Sequence, residues 1–123
     1  MIMSISNRIA VPNAVILVSD IGGGTVPNLI RGGLVASTPS CIAVGCMSDC
    51  NGETELTLGA ANEVGSREDP VFEGELTTPN HEVAVRTVLD EIILQARVLH
   101  SRTKVRIWVN HPSEPDKVII GLH

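Results

Sequence analysis

The chain has 123 residues, of which 43% are hydrophobic, with one Trp, one Phe, no Tyr and a formal net charge of −5. That length suits a single domain over residues 1–123, whose apolar core needs neither metal nor disulfide support. The negative charge argues against a general nucleic-acid binder, which must neutralise phosphates. The absence of an apolar run of roughly 18 residues argues against a membrane span.

Short runs rich in Val, Ile, Leu and Thr recur along the chain, and each ends near Gly, Pro, Asn or Asp. This composition is typical of strands, because β-branched residues suit a pleated surface and the punctuating residues favour turns. Residues 1–13 lack such a run, so we expect them to be irregular. We predict strands over residues 14–19, 33–38, 41–47, 53–58, 71–78, 103–110 and 117–122.

The dipeptide Asn51-Gly52 lies between two of these runs. Both residues tolerate the positive φ that a type I′ turn needs, which makes this the strongest short hairpin signal in the chain. We therefore predict that residues 41–47 and 53–58 pair as a hairpin. Leu56 and Leu58 fall on one side of the second strand and Glu55 on the other, which predicts a sheet with one wet face.

Residues 82–99 decide the fold class. They form either one helix with an apolar stripe or two strands that turn at Leu89-Asp90. Seven of these 18 residues are β-branched and lose side-chain freedom in a helix, which favours strands. We predict an all-β fold, an antiparallel, jelly-roll-like β-sandwich of about eight or nine strands. An α+β fold with one helix over residues 82–99 is the alternative.

Residues 103–110 alternate between two faces. Val105, Ile107 and Val109 share the face that we expect to be core. The opposite face carries Lys104, Arg106, Trp108 and Asn110. The chain's tryptophan therefore lies among cations on the side that solvent would otherwise reach. It is either covered by a neighbouring loop or available to a partner as an anchor, and both alternatives remain open.

Charge is distributed unevenly along the sequence. Residues 53–91 hold ten acids and two cations, whereas residues 97–106 hold four cations and no acid. This asymmetry predicts a module that binds a charged protein partner through a basic patch and an acidic sheet face. The predicted partner-binding residues are Trp108, Arg106, Lys104 and Asn110 in the patch, and Glu53, Glu55, Glu73 and Glu75 in the face.

Residues 15–25 resemble the Asp-x-Gly-Gly-Gly-Thr phosphate loop of actin-like and heat-shock-type ATPases, with Asp20 as the acidic residue. In those enzymes the glycines let backbone N–H groups approach phosphate. The chain is too short for their two lobes, so a flexible loop after a strand is the favoured interpretation. A small ligand-, nucleotide- or metal-binding protein that uses this loop and the loop histidines is kept as an alternative.

The cysteines and histidines show no familiar catalytic or metal spacing. Cys41, Cys46 and Cys50 lack the Cys-x2-Cys knuckle of zinc sites, so we expect buried free thiols at the first two and a candidate reactive thiol at Cys50. An odd number of cysteines and the lack of a secretory signal pattern predict a cytoplasmic location. With no nucleophile-elbow, His-Glu-x-x-His or Walker pattern, we predict no enzymatic activity, no metal and no cofactor.

The second half of the chain resembles the competence protein J family. The likeness rests on the order of Phe72-Glu-Gly-Glu-Leu-Thr-Thr-Pro79, the 83–98 hairpin, Val105-Arg-Ile-Trp-Val-Asn110 and Val118-Ile-Ile-Gly-Leu122. The resemblance implies a small β-sandwich that binds and inhibits a DNA-entry nuclease without catalysis. It covers about 50 residues with loose spacing, and transfers no site residue by residue.

Taken together, these features predict a non-catalytic, intracellular protein-interaction module, of the inhibitor or immunity type, with a charged protein partner such as a nuclease. A homo-oligomeric structural subunit, in which Trp108 packs across a symmetric interface, is a further alternative.

Overall fold

The computed structural model describes residues 4–28, 34–65 and 68–123. Within this part of the chain, ten strands form two five-stranded sheets that enclose a common core as a β-sandwich. The strands are β1 (Ile5–Ile9), β2 (Val15–Asp20), β3 (Val35–Thr38), β4 (Cys41–Gly45), β5 (Thr54–Ala60), β6 (Phe72–Thr77), β7 (Glu82–Thr87), β8 (Ile92–Arg97), β9 (Arg102–Val109) and β10 (Lys117–Leu122). A single helical turn, α1 (Ala61–Val64), follows β5. The predicted all-β class is confirmed.

The strand order differs from the order in sequence. Sheet A runs β1-β5-β10-β9-β6, and sheet B runs β3-β4-β2-β7-β8. All pairs are antiparallel except β5 with β10, which are parallel. Parallel neighbours need a long crossover, and here the chain passes through four other strands between them.

The core lies between the two sheets and follows the predicted alternation. Its fully buried members include Leu56, Leu58, Val105, Ile107, Val118 and Ile120 from sheet A and Ile16, Val18, Val44, Val83 and Val85 from sheet B. Burying each such side chain is worth roughly 1.5–3 kcal/mol. Branched aliphatics fill this space, and Phe72 is only partly buried against it.

Residues 82–99 form two strands, as predicted. β7 and β8 pair with Val83 opposite Ala96 and Val85 opposite Leu94, and a bulge follows at Val85/Arg86. The turn between the strands places Asp90 at φ 66°, a left-handed conformation that Asp tolerates better than most residues. The helix alternative is excluded because the β-branched residues pack on a pleated surface.

The hairpin predicted at Asn51-Gly52 is wrong. β4 belongs to sheet B, β5 belongs to sheet A, and the chain between them crosses from one sheet to the other. It does so through a 3₁₀ turn, Asp49–Asn51, and then Gly52 at φ 131°. Glycine suits any sharp change of direction, and its presence does not specify which strands pair. β4 instead pairs with β3 and β2.

β1 is also a correction, because the first 13 residues were expected to be irregular. Ile5–Ile9 pairs with β5 at the edge of sheet A, and four of its five residues are exposed. An exposed edge strand has no apolar alternation to reveal it in the sequence. The predicted start of β3, Gly33, lies outside the described residues.

Thr54 allows the energetic cost of an unpaired hydroxyl in the core to be measured. Its side chain is 0% exposed, and its hydroxyl has no hydrogen-bond partner among the described residues. Because a buried hydroxyl without a partner is unfavourable, we expect Thr54→Val to raise the free energy of unfolding by about 1 kcal/mol. Urea denaturation measures the change. Thr103→Val is the matched control, since the Thr103 hydroxyl is hydrogen-bonded to the Thr78 hydroxyl at 2.9 Å. Losing this bond should lower the free energy of unfolding by about 1 kcal/mol. Equal effects of the two changes would contradict this account.

Candidate functional site

Trp108 lies on the outer face of sheet A and is covered. Its side chain is 6% exposed, and its Nε1 donates a hydrogen bond to the carbonyl oxygen of Glu68 at 2.9 Å. Gly65 lies so close that a Cβ added there would be 3.1 Å from the ring carbon Cη2. The structure therefore has the covered arrangement of the two that the sequence left open. In this conformation the indole offers a partner little surface, and its role as an anchor stays a prediction.

Two neighbouring glycines make room for α1, which lies beside Trp108 and helps to cover it. Gly59 of β5 pairs with Gly121 of β10, so the middle of the outer face has no side chains at this level. A Cβ at Gly121 would lie 2.9 Å from Cα of Ala61, and one at Gly59 would lie 2.9 Å from Cγ1 of Val64. These distances are too short for any side chain. The glycines thus allow α1 to lie directly on the sheet, beside Trp108.

We expect Gly121→Ala to displace α1 and partly uncover Trp108. The added methyl group would also approach ring carbon Cζ3 at 3.0 Å, and such overpacking typically costs about 1–3 kcal/mol. Because the chain has one tryptophan, its fluorescence maximum reports this environment directly and should move to longer wavelength. Gly45→Ala is the control, since a Cβ there meets its nearest neighbour at an ordinary 3.5 Å. An unchanged emission maximum in Gly121→Ala would contradict the role assigned to the glycine pair.

The predicted basic patch and part of the acidic face lie side by side and pair with each other. Glu73 is opposite Arg106, and Glu75 is opposite Lys104, across β6 and β9. Nε of Arg106 lies 2.6 Å from Oε2 of Glu73. Both side chains are well exposed, so this ion pair contributes at most about 1 kcal/mol. The charges on this side of the sheet therefore alternate in sign.

The other candidate residues lie elsewhere. Glu55 is on β5 and contacts Arg8 at 3.5 Å. Two strands lie between β5 and the strand of Glu73, and the register places Glu55 four residues along β5 from the level of Glu73, so the two residues are more than roughly 14 Å apart. Glu53 is exposed in the loop before β5. Asn110 accepts from the backbone N–H groups of Asp116 and Lys117, which joins the two ends of the loop before β10. The eight predicted residues are thus not brought together in one patch, and their role in partner binding remains a prediction.

Asp20, the acidic residue of the glycine loop, joins two loops. It is 1% exposed; Oδ2 accepts from Gly22 N at 2.7 Å and Asn80 Nδ2 at 2.6 Å, and Oδ1 accepts from Asn80 N at 2.9 Å. Arg86 lies beside it and donates to Ser19 Oγ at 3.1 Å and to the Ile21 carbonyl oxygen. Both oxygens of the carboxylate thus accept hydrogen bonds from the chain itself. We call Asp20 a clamp because these bonds tie the loop after β2 to the turn before β7.

The thiols divide as the sequence predicted. Cys41 and Cys46 are buried and Cys50 is exposed in the turn after β4, where its reactivity remains a prediction. Burial raises the pKa of the Cys46 thiol to about 12, although a backbone hydrogen bond involving Ile16 opposes the shift, so this thiol stays protonated. Among the described residues, no three His, Cys, Asp or Glu side chains are grouped as a metal site.

One end of the sandwich is acidic, a feature that the sequence analysis missed. Three of the segments at this end, residues 46–53, 88–91 and 110–116, make up what we call the acidic end. They contain no Lys or Arg, although Arg86 and Lys117 border two of them. Their acidic residues, all exposed, are Asp49, Glu53, Asp90, Glu91, Glu114 and Asp116.

Strand pairing brings these segments to the same end. The N–H of Met47 donates to the carbonyl of Pro115 at 2.8 Å, which joins the first segment to the third. Gly45 and Thr87, the last residues of β4 and β7, pair with Val15 and Ile16 on the two sides of β2. The segments are far apart in sequence, so no local pattern announces their proximity.

The acidic end also exposes apolar side chains at the turn between β7 and β8. Leu89 is 73% exposed, Ile92 43% and Val88 37%. Thr87 Oγ1, which is buried, accepts from the N–H groups of Leu89 and Glu91, and Asp90 Oδ1 lies 3.5 Å from Arg86 Nε. We call residues 88–92 the hairpin tip. These contacts tie the tip to the end of β7, while its apolar side chains remain partly or largely exposed.

The opposite end of the sandwich carries charges of both signs. Arg97 and Arg102 flank the loop between β8 and β9, and three of the four histidines are exposed nearby. These are His81, His100 and His123. Glu82 lies opposite Arg97, and Glu63 is exposed on α1 at this end. The excess of one sign is therefore found at the acidic end, which favours the approach of that end to a cationic partner.

Comparison with known proteins gives a match in structure only. No protein-family model and no curated protein matches the chain. The fold is similar to the crystal structure of ComJ, inhibitor of the DNA degrading activity of NucA, from Bacillus subtilis, with a TM-score of 0.64 and 10% identity over 99% of this chain and 97% of that chain. A structure titled Crocagin biosynthetic gene J matches with a TM-score of 0.49 and 12% identity over 99% and 96% of the two chains.

The resemblance predicted from the second half of the sequence is thus confirmed for the fold, and it extends over nearly the whole chain. No helix in the described part of the chain is long and apolar enough to cross a membrane.

Proposed function

We propose that this chain is a non-catalytic protein-binding module that inhibits a positively charged enzyme, and that a DNA-degrading nuclease is the partner to test first. The observation that carries the proposal is the similarity of fold, over 99% of the chain, to a protein that inhibits a nuclease. The functional part of the proposal depends on charge and surface as well, because a shared fold hosts many functions.

The charge distribution supports a basic partner. The chain carries 14 acidic and nine basic residues, and six of the acids are exposed together at the acidic end. Enzymes that bind DNA use positively charged surfaces to neutralise its phosphates. A negative surface on an inhibitor is complementary to such a surface, which speeds encounter and disfavours acidic partners.

A degradation assay with a set of purified DNA-degrading enzymes tests the proposal. The set should include enzymes of basic and of acidic net charge, each titrated with the purified chain. We expect loss of DNA cleavage with at least one basic enzyme, saturation at a fixed molar ratio and a complex that co-elutes in size-exclusion chromatography. Inhibition should weaken as salt is added.

Two results would count against the proposal. If the chain inhibits no enzyme in the set, the inhibitor role fails. If cleavage falls without a complex between the two proteins, the chain acts by some other route, such as binding the DNA. A gel-shift assay with DNA and the chain alone separates that second case, and the net charge of −5 predicts no shift.

A further inference from the structure

We propose that the hairpin tip of this chain docks into the positively charged DNA-binding cleft of the enzyme that it inhibits, with Leu89 as the apolar anchor. This inference rests on the proposed function and specifies its binding surface. It differs from the patch around Trp108 that the sequence predicted.

The first support is the exposure of apolar side chains at the tip. Leu89 is 73% exposed, and Ile92 and Val88 add a further exposed apolar surface within the same turn. A contiguous apolar surface on a small domain commonly marks a protein-interaction site. By contrast, Trp108 is 6% exposed beneath α1 and offers much less area to a partner.

The second support is the fixed shape of the tip. The Thr87 N–H donates to the Glu91 carbonyl at 2.9 Å, the Asp90 N–H donates to the Thr87 carbonyl at 3.0 Å, and the Thr87 hydroxyl accepts from Leu89 and Glu91. A loop tied by such bonds before it docks loses less conformational freedom on docking than an unconstrained loop. The tip therefore resembles a rigid projection that enters a cleft.

The third support is charge, which selects the kind of cleft. Asp90 and Glu91 belong to the tip itself, and the neighbouring segments add Asp49, Glu53 and Glu114. No Lys or Arg lies in these segments, but Arg86, two residues before the tip, lies 3.5 Å from Asp90. Glu91 and the acids of the neighbouring segments therefore provide most of the negative charge around Leu89. An apolar projection surrounded by carboxylates is complementary to a pocket surrounded by cations, and a cleft that binds DNA phosphates has that character. Occupation of the cleft would exclude DNA, which accounts for inhibition.

Leu89→Ser and Leu99→Ser form a matched pair for testing the anchor. Both leucines are strongly exposed, at 73% and 86%, so neither change should disturb folding, but Leu99 lies at the opposite end of the sandwich. With an enzyme that the unmodified chain inhibits, we expect Leu89→Ser to raise the inhibition constant about tenfold or more and Leu99→Ser to change it less than about twofold. Equal inhibition by both variants, or equal loss, would overturn the assignment of Leu89.

Glu91→Lys and Glu63→Lys test the charge contribution. Both glutamates are exposed, and Glu63 lies on α1 away from the acidic end. Glu91→Lys should slow association and reduce its dependence on salt, whereas Glu63→Lys should resemble the unmodified chain. Duplex DNA in excess should displace the chain from the enzyme. A stable ternary complex of chain, enzyme and DNA would overturn docking in the cleft.

An oligolysine peptide probes the surface without any partner enzyme. Followed by NMR, added oligolysine should shift amide signals mainly in residues 46–53, 88–91 and 110–116. Shifts concentrated at Glu73 and Glu75 instead would overturn the inference and return attention to sheet A. Failure of the proposed function looks different, because the unmodified chain would then inhibit no enzyme at all.

Discussion

Replacing Asp20 with alanine is expected to lower the free energy of unfolding by about 3 kcal/mol. The change leaves the N–H groups of Gly22 and Asn80 and the amide of the Asn80 side chain without their acceptor. Loss of a charged acceptor costs roughly 1–3 kcal/mol for each donor, and the three losses are not additive because the loop relaxes and because water can reach the exposed residues Gly22 and Asn80. Urea denaturation followed by far-UV circular dichroism measures the effect. Asp69→Ala removes an exposed carboxylate and should change stability by less than about 0.5 kcal/mol.

The same clamp predicts how stability depends on pH. Burial alone would raise the pKa of Asp20, but hydrogen bonds from the Asn80 side chain and from the backbone of Gly22 and Asn80, with the charge of Arg86, outweigh it and hold the pKa below its ordinary value of 3.8. A carboxyl with a lowered folded pKa stabilises the protein above its unfolded pKa and loses that contribution as pH falls through the folded pKa.

Asp20→Asn isolates this effect, because the amide has a similar shape but no charge. The stability difference between the unmodified chain and Asp20→Asn should be constant from about pH 5 to pH 7 and should shrink below about pH 4. A difference that stays constant to the lowest pH at which the protein folds would show that the charge of Asp20 contributes nothing.

Replacing Trp108 with alanine is expected to lower the free energy of unfolding by about 3 kcal/mol. The change removes a large, almost fully buried side chain and leaves α1 and Gly65 without the ring on which they pack. Chemical denaturation measures the loss. Trp108→Phe keeps part of the ring but removes the bond to the Glu68 carbonyl, so it should cost less, about 1–2 kcal/mol.

These two variants also separate an internal role from a role in binding. If Trp108 serves to hold its cover, Trp108→Phe should remain folded and inhibit as the unmodified chain does. If Trp108→Ala proves as stable as the unmodified chain, the cover has no energetic importance and the anchor interpretation of the sequence regains support.

The strands themselves were predictable because most are buried on one side only. Val105 and Ile107 alternate with Lys104 and Arg106, and that alternation determines which face each residue meets whatever the strand's neighbours are. For residues 82–99 the number of β-branched residues favoured two strands over a helix with an equally good apolar stripe, and the chain forms two strands there.

Which strands are neighbours in a sheet was much less predictable from the sequence. Asn51-Gly52 has the chemistry of a tight turn, but whether such a turn joins neighbours in one sheet or crosses to another depends on which strands compete for each edge. Likewise Glu55 and Glu73 each lie on the polar side of a predicted strand, and nothing local shows that β10 and β9 lie between those two strands. The proximity of the acidic segments depends on the same information, and no local sequence signal carries it.

Two glycines inside strands are the local sequence signal that indicates the cover over Trp108. Gly59 and Gly121 lie inside two strands, and glycine inside a strand commonly marks a close approach of backbone. Together with a tryptophan on the polar face, they indicate a segment lying on the sheet. The covered state of Trp108 follows from that combination.

The central position of β10 has a consequence for synthesis on the ribosome. Residues 117–122 lie between β5 and β9, so until they emerge, both of those strands present an unpaired edge. At about 5–20 residues per second, β5 waits several seconds for its parallel partner. During that interval the unpaired edge of β5 can pair with other chains, a risk that is smaller for a sheet assembled from successive hairpins.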